Sequence, residues 1–251
     1  MRRVCFVSID IEHDVGTGNN KTFWGVDAVD RVLDIFERSG IPATLFATGD
    51  VLERFPKKVR DWSKDYELAS HSYSHIYFNK LSDWGKEEDI RRSIEIHEKV
   101  LGARPLGFRA PSHVIDDHTM RLLQKYGFKY DSSVVPHYPP VKKYRGYKGK
   151  APLAPYKIGN ILEIPVAGQM MGIPLAGAWS RKLPVWIYRI LFIAHKPKFI
   201  TLSMHSWDAL DLRFSSKLVK ILEILSGSGY VFKSGEQIAT ELSSGAGTVW
   251  A

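Results

Sequence analysis

Short apolar runs alternate with amphipathic helical patterns from one end of this chain to the other, and no other feature restricts its fold so strongly. "VCFVSIDI" (4–11), "ATLFATG" (43–49), "YELASHS" (66–72), "LGFRAP" (106–111), "YDSSVVP" (130–136), "ILEIPVA" (161–167), "FITLSMHSW" (199–207) and "YVFK" (230–233) read as strands. Between them lie helical patterns. One carries Val26, Val29, Leu33 and Phe36 and stops at Gly40; another carries Ile90, Ile94, His97 and Leu101 on one face. A polar, proline-interrupted helix falls at 50–64, and further helices fall near 116–126 and 215–226. Strand and helix in alternation build a parallel sheet, and this number of units predicts a closed or nearly closed barrel.

The 251 residues suit one such barrel, with no internal repeat, low-complexity tract or dividing linker, so a single catalytic domain over 1–251 is expected. The one cysteine, Cys5, excludes an intramolecular disulfide and a multi-cysteine zinc site, and reads as a buried strand residue in a reducing compartment. The first strand begins at Val4, leaving no room for a leader, and no charge-free apolar run is long enough to span a bilayer. A cytoplasmic location follows as the expectation. The net charge of +8 is uneven: residues 137–198 hold 11 Lys/Arg against one acid, Glu163, while the rest holds 24 against 26. That basic and apolar segment reads as a solvated insertion, and no nucleic-acid partner is expected.

The chemistry-bearing residues fall where a barrel builds its sites. Asp10 and Glu12 end the first strand, His71 and His75 follow the third, and Arg109 and Pro111 end the fourth. Asp131 lies in the fifth, and His205 ends "FITLSMH". All are at strand C-termini, where the βα loops of a barrel converge. His71 and His75, four apart, would share a helical face if the chain turns helically after its strand. Two neutral imidazoles plus one carboxylate, with an open position for water, make a recurring hydrolytic metal site. "SIDIEHD" offers Asp10, Glu12 and Asp14, and strand alternation sends Asp10 and Glu12 to one side. One of them would bind metal and the other act as a base. His205 is suited to protonate a leaving group near neutral pH, and Arg109 to hold Asp10 ionised.

The segments "SIDIEHD", "HSYSH" (71–75), "RAPS" (109–112), "YDSS" (130–133) and "LSMHSWD" (202–208), in that order over about four-fifths of the chain, resemble the five motifs of the polysaccharide deacetylases of NodB-homology type, carbohydrate esterase family 4. The resemblance implies an irregular (β/α)7 barrel and removal of an N-acyl group, acetyl or formyl, from an amino sugar. It implies Asp10 as base, His205 as acid, Arg109 as the residue orienting the base, and His71 and His75 as ligands of one divalent ion, with zinc expected. It also implies Pro111, Leu202 and Asp131 as substrate-side residues, Leu202 lining the pocket for the acetyl methyl and Asp131 in the shell around His205. Many members carry two adjacent aspartates in the first motif; here Ile11 takes the second place. Glu12 is the expected third ligand, ahead of Asp14 and then His13.

Other readings stay open. His97 is expected to be packed rather than liganded. His113 and His118 are expected to face solvent, with His113 near enough to "RAPS" to touch substrate. Residues 184–194, "PVWIYRILFIA", read as a helix buried on the barrel; beside "KKYRGYKGK" (142–150) they also fit a contact with anionic membrane or a polyprenyl-phosphate carrier, making a lipid-linked or cell-surface glycan precursor a candidate substrate. Two alternatives to an amino-sugar deacylase are a hydrolase of small cyclic amides, allantoinase-like, and a non-catalytic binder of anionic polymers.

Overall fold

The computed structural model describes residues 3–15, 22–136, 151–167, 175, 181–194 and 196–244. The basic run 142–150 and the loop 16–20 lie outside the described residues. Nine strands form one sheet: β1 (Arg3–Ile11), β2 (Thr44–Ala47), β3 (Glu67–Ser70), β4 (Gly107–Phe108), β5 (Tyr130–Asp131), β6 (Tyr156–Ile158), β7 (Ile161–Glu163), β8 (Phe199–His205) and β9 (Tyr230–Lys233). Their order is β6-β7-β5-β4-β3-β2-β1-β8, with β9 paired to the first half of β1. All pairings are parallel except β6 with β7. The run from β7 to β8 thus supplies seven parallel strands, and the sheet curls into the irregular barrel of the NodB type. Between β7 and β8 the ring is drawn together beyond the strand ends: Thr201 N–H donates to Ala167 O (2.7 Å) and its hydroxyl to Pro165 O (2.8 Å).

Alternation along β1 divides the core into two layers. Cys5, Val7, Ile9 and Ile11 pack under the surrounding helices with Val26, Leu33, Phe36 and Leu218. Val4 and Phe6 point the other way and meet Phe46, Ala69, Tyr130, Leu162 and Phe199 inside the barrel. The helix Gly235–Ser243 adds Ile238 and Ala239 to this inner cluster. With the lower barrel filled by apolar side chains, the next inward positions of β1, Ser8 and Asp10, face the rim. Tyr130 fits only because β4 opens with a glycine; a Cβ on Gly107 would stand 2.0 Å from its ring.

Several elements differ from the sequence reading for local reasons. The polar helix is two, Gly49–Arg54 and Pro56–Trp62, because the residue before a proline disfavours helix and Pro56 suits a first turn. The strands expected over 106–111 and 130–136 shorten to two residues each, since Pro111 opens a 3-10 turn and Ser132 and Ser133 turn their side chains to brace a neighbour. The helix Val185–Ala194 buries Tyr188 and Phe192 but leaves Trp186 and Ile190 in solvent, so it is not buried all round.

Candidate active site

The barrel rim gathers Asp10, Glu12, His71, His75, Arg109 and His205 into one group, buried except for His205. Asp10 is the last inward residue of β1 and pairs in register with His205 across the β1–β8 ladder. Its Oδ1 accepts from Arg109 Nη1 at 2.6 Å; its Oδ2 lies 3.9 Å from His71 Nε2 and 4.0 Å from His205 Nε2. Arg109 is fully buried and over-determined. It stands 4.1 Å above the Phe46 ring, donates from Nη1 to Ser8 Oγ (3.0 Å), from Nε to Ser132 O (3.0 Å) and from Nη2 to Ser132 Oγ (2.9 Å). Burial alone would raise the Asp10 carboxyl, but Arg109, then His71 and His205, hold it below the usual carboxylate range. The group is therefore an anion with one oxygen fixed and the other facing the two imidazoles.

Glu12, His71 and His75 place one ligand atom each within 4.8 Å of one another, all buried. Glu12 Oε2 lies 3.4 Å from His71 Nε2 and closer still to His75 Nε2, yet accepts no hydrogen bond. His71 Nδ1–H donates to Arg109 O at 2.8 Å; a carbonyl only accepts, so the proton of a neutral ring is on Nδ1 and Nε2 keeps its lone pair. A buried carboxylate oxygen without a donor, aimed between two imidazole nitrogens of this tautomer, fits a divalent cation.

The two histidines converge by a route the spacing did not foretell. Residues 71–75 form a turn rather than a helix, with Ser72 (φ 66°) and His75 (φ 57°) left-handed. Such backbone costs a non-glycine residue roughly 1–2 kcal/mol. Asp89, on the helix Asp83–Leu101, holds the turn by accepting from Tyr73 N (2.8 Å), Ser74 N (3.1 Å) and the Ser74 hydroxyl. Nothing in the sequence marked Asp89 for this work.

The alternative ligands are engaged elsewhere. Asp14 accepts from Trp24 N (2.8 Å), Gly25 N (2.9 Å) and Thr22 Oγ1 (2.5 Å) at the start of the helix Trp24–Ala28. The His13 ring meets the edge of His75, 5.0 Å between centroids, outside the ligand cluster.

His205 stacks on Trp207 (4.2 Å, 10° between planes) and keeps about 31% of its side chain exposed. Asp208 backs it: His205 N–H donates to Asp208 Oδ2 at 2.9 Å, and the ring Nδ1 lies 3.7 Å from that oxygen. Arg181 in turn sits 2.9 Å from Asp208 Oδ1. Burial works against charging the ring, but Asp208, Asp10 and Glu12 outweigh it and push its pKa up to about 9. The supporting carboxylate is thus Asp208 and not Asp131. Asp131 is fully buried behind Arg109, accepting from Ser133 Oγ (2.7 Å) and Ser133 N (3.0 Å), while Ser133 Oγ also accepts from Ala110 N (2.8 Å). Glu163 shares this site, and burial followed by Asp131 holds its carboxyl well above the usual range, so the pair retains a proton. Asp208 was legible as an acid three residues past His205, the spacing at which a side chain returns to its neighbour's backbone N–H.

Leu202 is also misplaced by the sequence reading. It pairs with Val7 on the helix-facing side of β8 and is buried in that outer core; period-two alternation gives the His205 face to Ser203. Pro111 is buried at the head of the turn Pro111–His113. That turn carries His113 (φ 59°) toward the site instead of solvent. Its Nδ1 is buried without a hydrogen bond, and burial, then Arg109, push its pKa down to about 3. His97 is packed as expected, buried, with Nδ1–H on Ser93 O at 2.8 Å.

The polysaccharide deacetylase family model matches residues 13–130. Just under half of the chain thus resembles the polysaccharide deacetylases. Among curated relatives, a peptidoglycan deacetylase-like protein of Gibberella zeae is 36% identical over 118 residues, 46% of this chain and 35% of that one. The peptidoglycan deacetylase of Helicobacter pylori is 31% identical over 129 residues, 50% of this chain and 42% of that one. The matches therefore span less than half the length of these two deacetylase relatives. A solved Mycobacterium smegmatis structure assigned to the polysaccharide deacetylases superposes with a TM-score of 0.72 at 20% identity, covering 99% of this chain and 93% of that one, which establishes the shared fold. The matched stretch 13–130 takes in His71, His75 and Arg109, while Asp10, Glu12 and His205 lie outside it; Asp10 and His205 join the site through the β1–β8 ladder and Glu12 just past the end of β1.

Proposed function

We propose that the chain is a metal-dependent hydrolase that removes an N-acyl group, acetyl or formyl, from an amino sugar. The observation that carries this reading is Asp10: an ionised, buried carboxylate clamped by Arg109, with its free oxygen between the Glu12/His71/His75 cluster and His205. Glu12, His71 and His75 would hold the cation, zinc by the chemistry of one carboxylate and two imidazoles. Bound there, a divalent ion polarises an acyl oxygen and acidifies water.

The chain's own groups do the proton work. Asp10 takes a proton from the water that adds to the acyl carbon, and Arg109 keeps Asp10 from picking up one beforehand. As the carbon–nitrogen bond breaks, His205 gives its Nε2 proton to the departing amine, and Asp208 and Trp207 hold the ring in place for that transfer. The products are a free carboxylic acid and the amino sugar. Peptidoglycan is a first substrate class to try, given the names of the relatives, and a lipid-linked amino sugar is a second. Beside the cluster, a cavity of about 270 Å³ lined by His13, Phe23, Asp50, Arg54, Ser74 and His75 offers polar groups and one aromatic face to a sugar.

The test pairs elemental analysis of the purified protein with acetate and formate release from N-acetylated chito-oligosaccharides, peptidoglycan fragments, lipid-linked amino sugars and a cyclic amide such as allantoin. Metal together with acyl release from a sugar, abolished in Asp10→Asn, is the expected result. Turnover of the cyclic amide alone would replace the sugar reading. Absence of both metal and product would leave a binding protein.

A further inference from the structure

Away from the rim, the outer face of the helix Val185–Ala194 stands out. Tyr188 and Phe192, one turn apart, are buried, whereas Trp186 is 62% and Ile190 55% exposed, with Arg189 exposed beside them. Positions 186, 189 and 190 share one helical face, so a large aromatic, an aliphatic and a guanidinium point the same way into solvent. The helix Leu212–Gly227 lies alongside: Lys217 Nζ donates to Arg181 O (2.6 Å) and Leu183 O (3.4 Å), and Leu212 at its start is 67% exposed.

The charge of the segment that carries this face has one sign. From Glu163 to Asp208 the sequence contains Arg181, Lys182, Arg189, Lys196 and Lys198 and no acid between those two ends. Lys182 and Lys196 are exposed at the two ends of the helix. Apolar side chains that insert shallowly, ringed by cations, are the two signals that together hold a protein on an acidic lipid surface. No helix among the described residues is long and apolar enough to cross a membrane, so attachment here would be peripheral.

We propose that the Trp186–Arg189–Ile190 face, flanked by Lys182 and Lys196, is a docking surface for an anionic lipid bilayer. A second copy of this chain fits the face less well, because a twofold contact sets the same patch against itself and brings Arg189 and the two lysines together. The surface is tied to the site by a short path: the helix begins four residues after Arg181, whose guanidinium pairs with Asp208 behind His205. The proposal goes beyond the deacylase reading and stands or falls separately, since its readout is binding.

The experiment is co-sedimentation of the full chain with vesicles of phosphatidylcholine alone and of phosphatidylcholine with one third phosphatidylglycerol, at low and physiological salt, beside sedimentation velocity without lipid. Binding to the anionic vesicles only, weakening with salt, is expected. Lys182→Ala with Arg189→Ala should lower partitioning roughly thirtyfold. Trp186→Ser with Ile190→Ser should lower it at every salt concentration, while both variants keep their circular dichroism and their activity on soluble substrate. Equal binding to the two vesicle types, no binding, or partitioning unchanged in both variants would overturn the proposal. So would a dimer in the absence of lipid that Trp186→Ser dissolves, which would assign the face to a second copy.

Discussion

His97 in the helix layer and His205 on the rim are imidazoles of opposite character, one pushed down to about 4 and the other up to about 9. Burial depresses both. His97 has only carbonyl neighbours, Ser93 and Ala69, which offset a part of the cost of charging it. His205 faces Asp208, Asp10 and Glu12, and their combined field reverses the sign. What separates a packing histidine from one able to donate a proton is therefore the carboxylates the fold brings to it. Arg109 and Glu163 repeat the lesson: the arginine holds Asp10 ionised, while a second acid beside Asp131 keeps a proton.

The largest effect that would break this contrast is on the anion at its centre. Asp10→Asn removes the proton acceptor and should lower kcat/KM by about a thousandfold with an unchanged circular dichroism spectrum. A loss below tenfold in steady-state kinetics would remove Asp10 from the chemistry. Next is the ligand cluster. His75→Ala should empty the site, read as metal per chain by elemental analysis, with activity falling by about a hundredfold or more. Retained stoichiometric metal would move the site elsewhere.

Asp208→Asn sharpens the comparison directly. With its folded pKa raised, His205 stays protonated up to about 9, so wild-type activity should hold to that pH and then fall. Without Asp208 the alkaline limb should move down toward the ordinary histidine value, lowering the rate at pH 8 about tenfold. The stability contributed by protonated His205 is fully present below about pH 6.5. It is lost as pH rises through about 9, so denaturant unfolding of this variant should differ most from wild type at the acid end.

The smallest effect belongs to His97. His97→Gln should leave the pH–rate profile in place and cost about 1–2 kcal/mol at neutral pH. Its folded pKa is depressed, so the wild type should lose that contribution as pH falls from about 6.5 through about 4, and the variant should lack this acid sensitivity. A shifted rate profile would mean that the helix layer is coupled to the rim.

Much of this arrangement was readable in the residues. Alternating strand and helix patterns required a parallel sheet, and polar side chains at strand ends required a rim. Asp10 and Glu12, two apart, share a side because strand alternation leaves no other choice. Leu202 was misread despite the same rule: it is three residues from His205, an odd number, and so faces the helices. The left-handed turn at Ser72 and His75 was hidden, because those residues seldom adopt such backbone and Asp89, brought by a distant helix, helps to sustain it. Asp208, Asp131 and Glu163 look alike in a sequence. What each one does depends on which partner stands within a few ångströms.

By itself, then, the sequence determined the periodicities, and through them the layers, the barrel class and the end of the barrel that carries chemistry, since hydrophobic spacing is a local property of the chain. Only the tertiary structure decided which carboxylate completes the imidazole pair, which acid supports His205, and whether each buried group holds a proton. Those outcomes rest on distances between residues as far apart as Asp10 and His205, which electrostatics reads through space rather than along the chain.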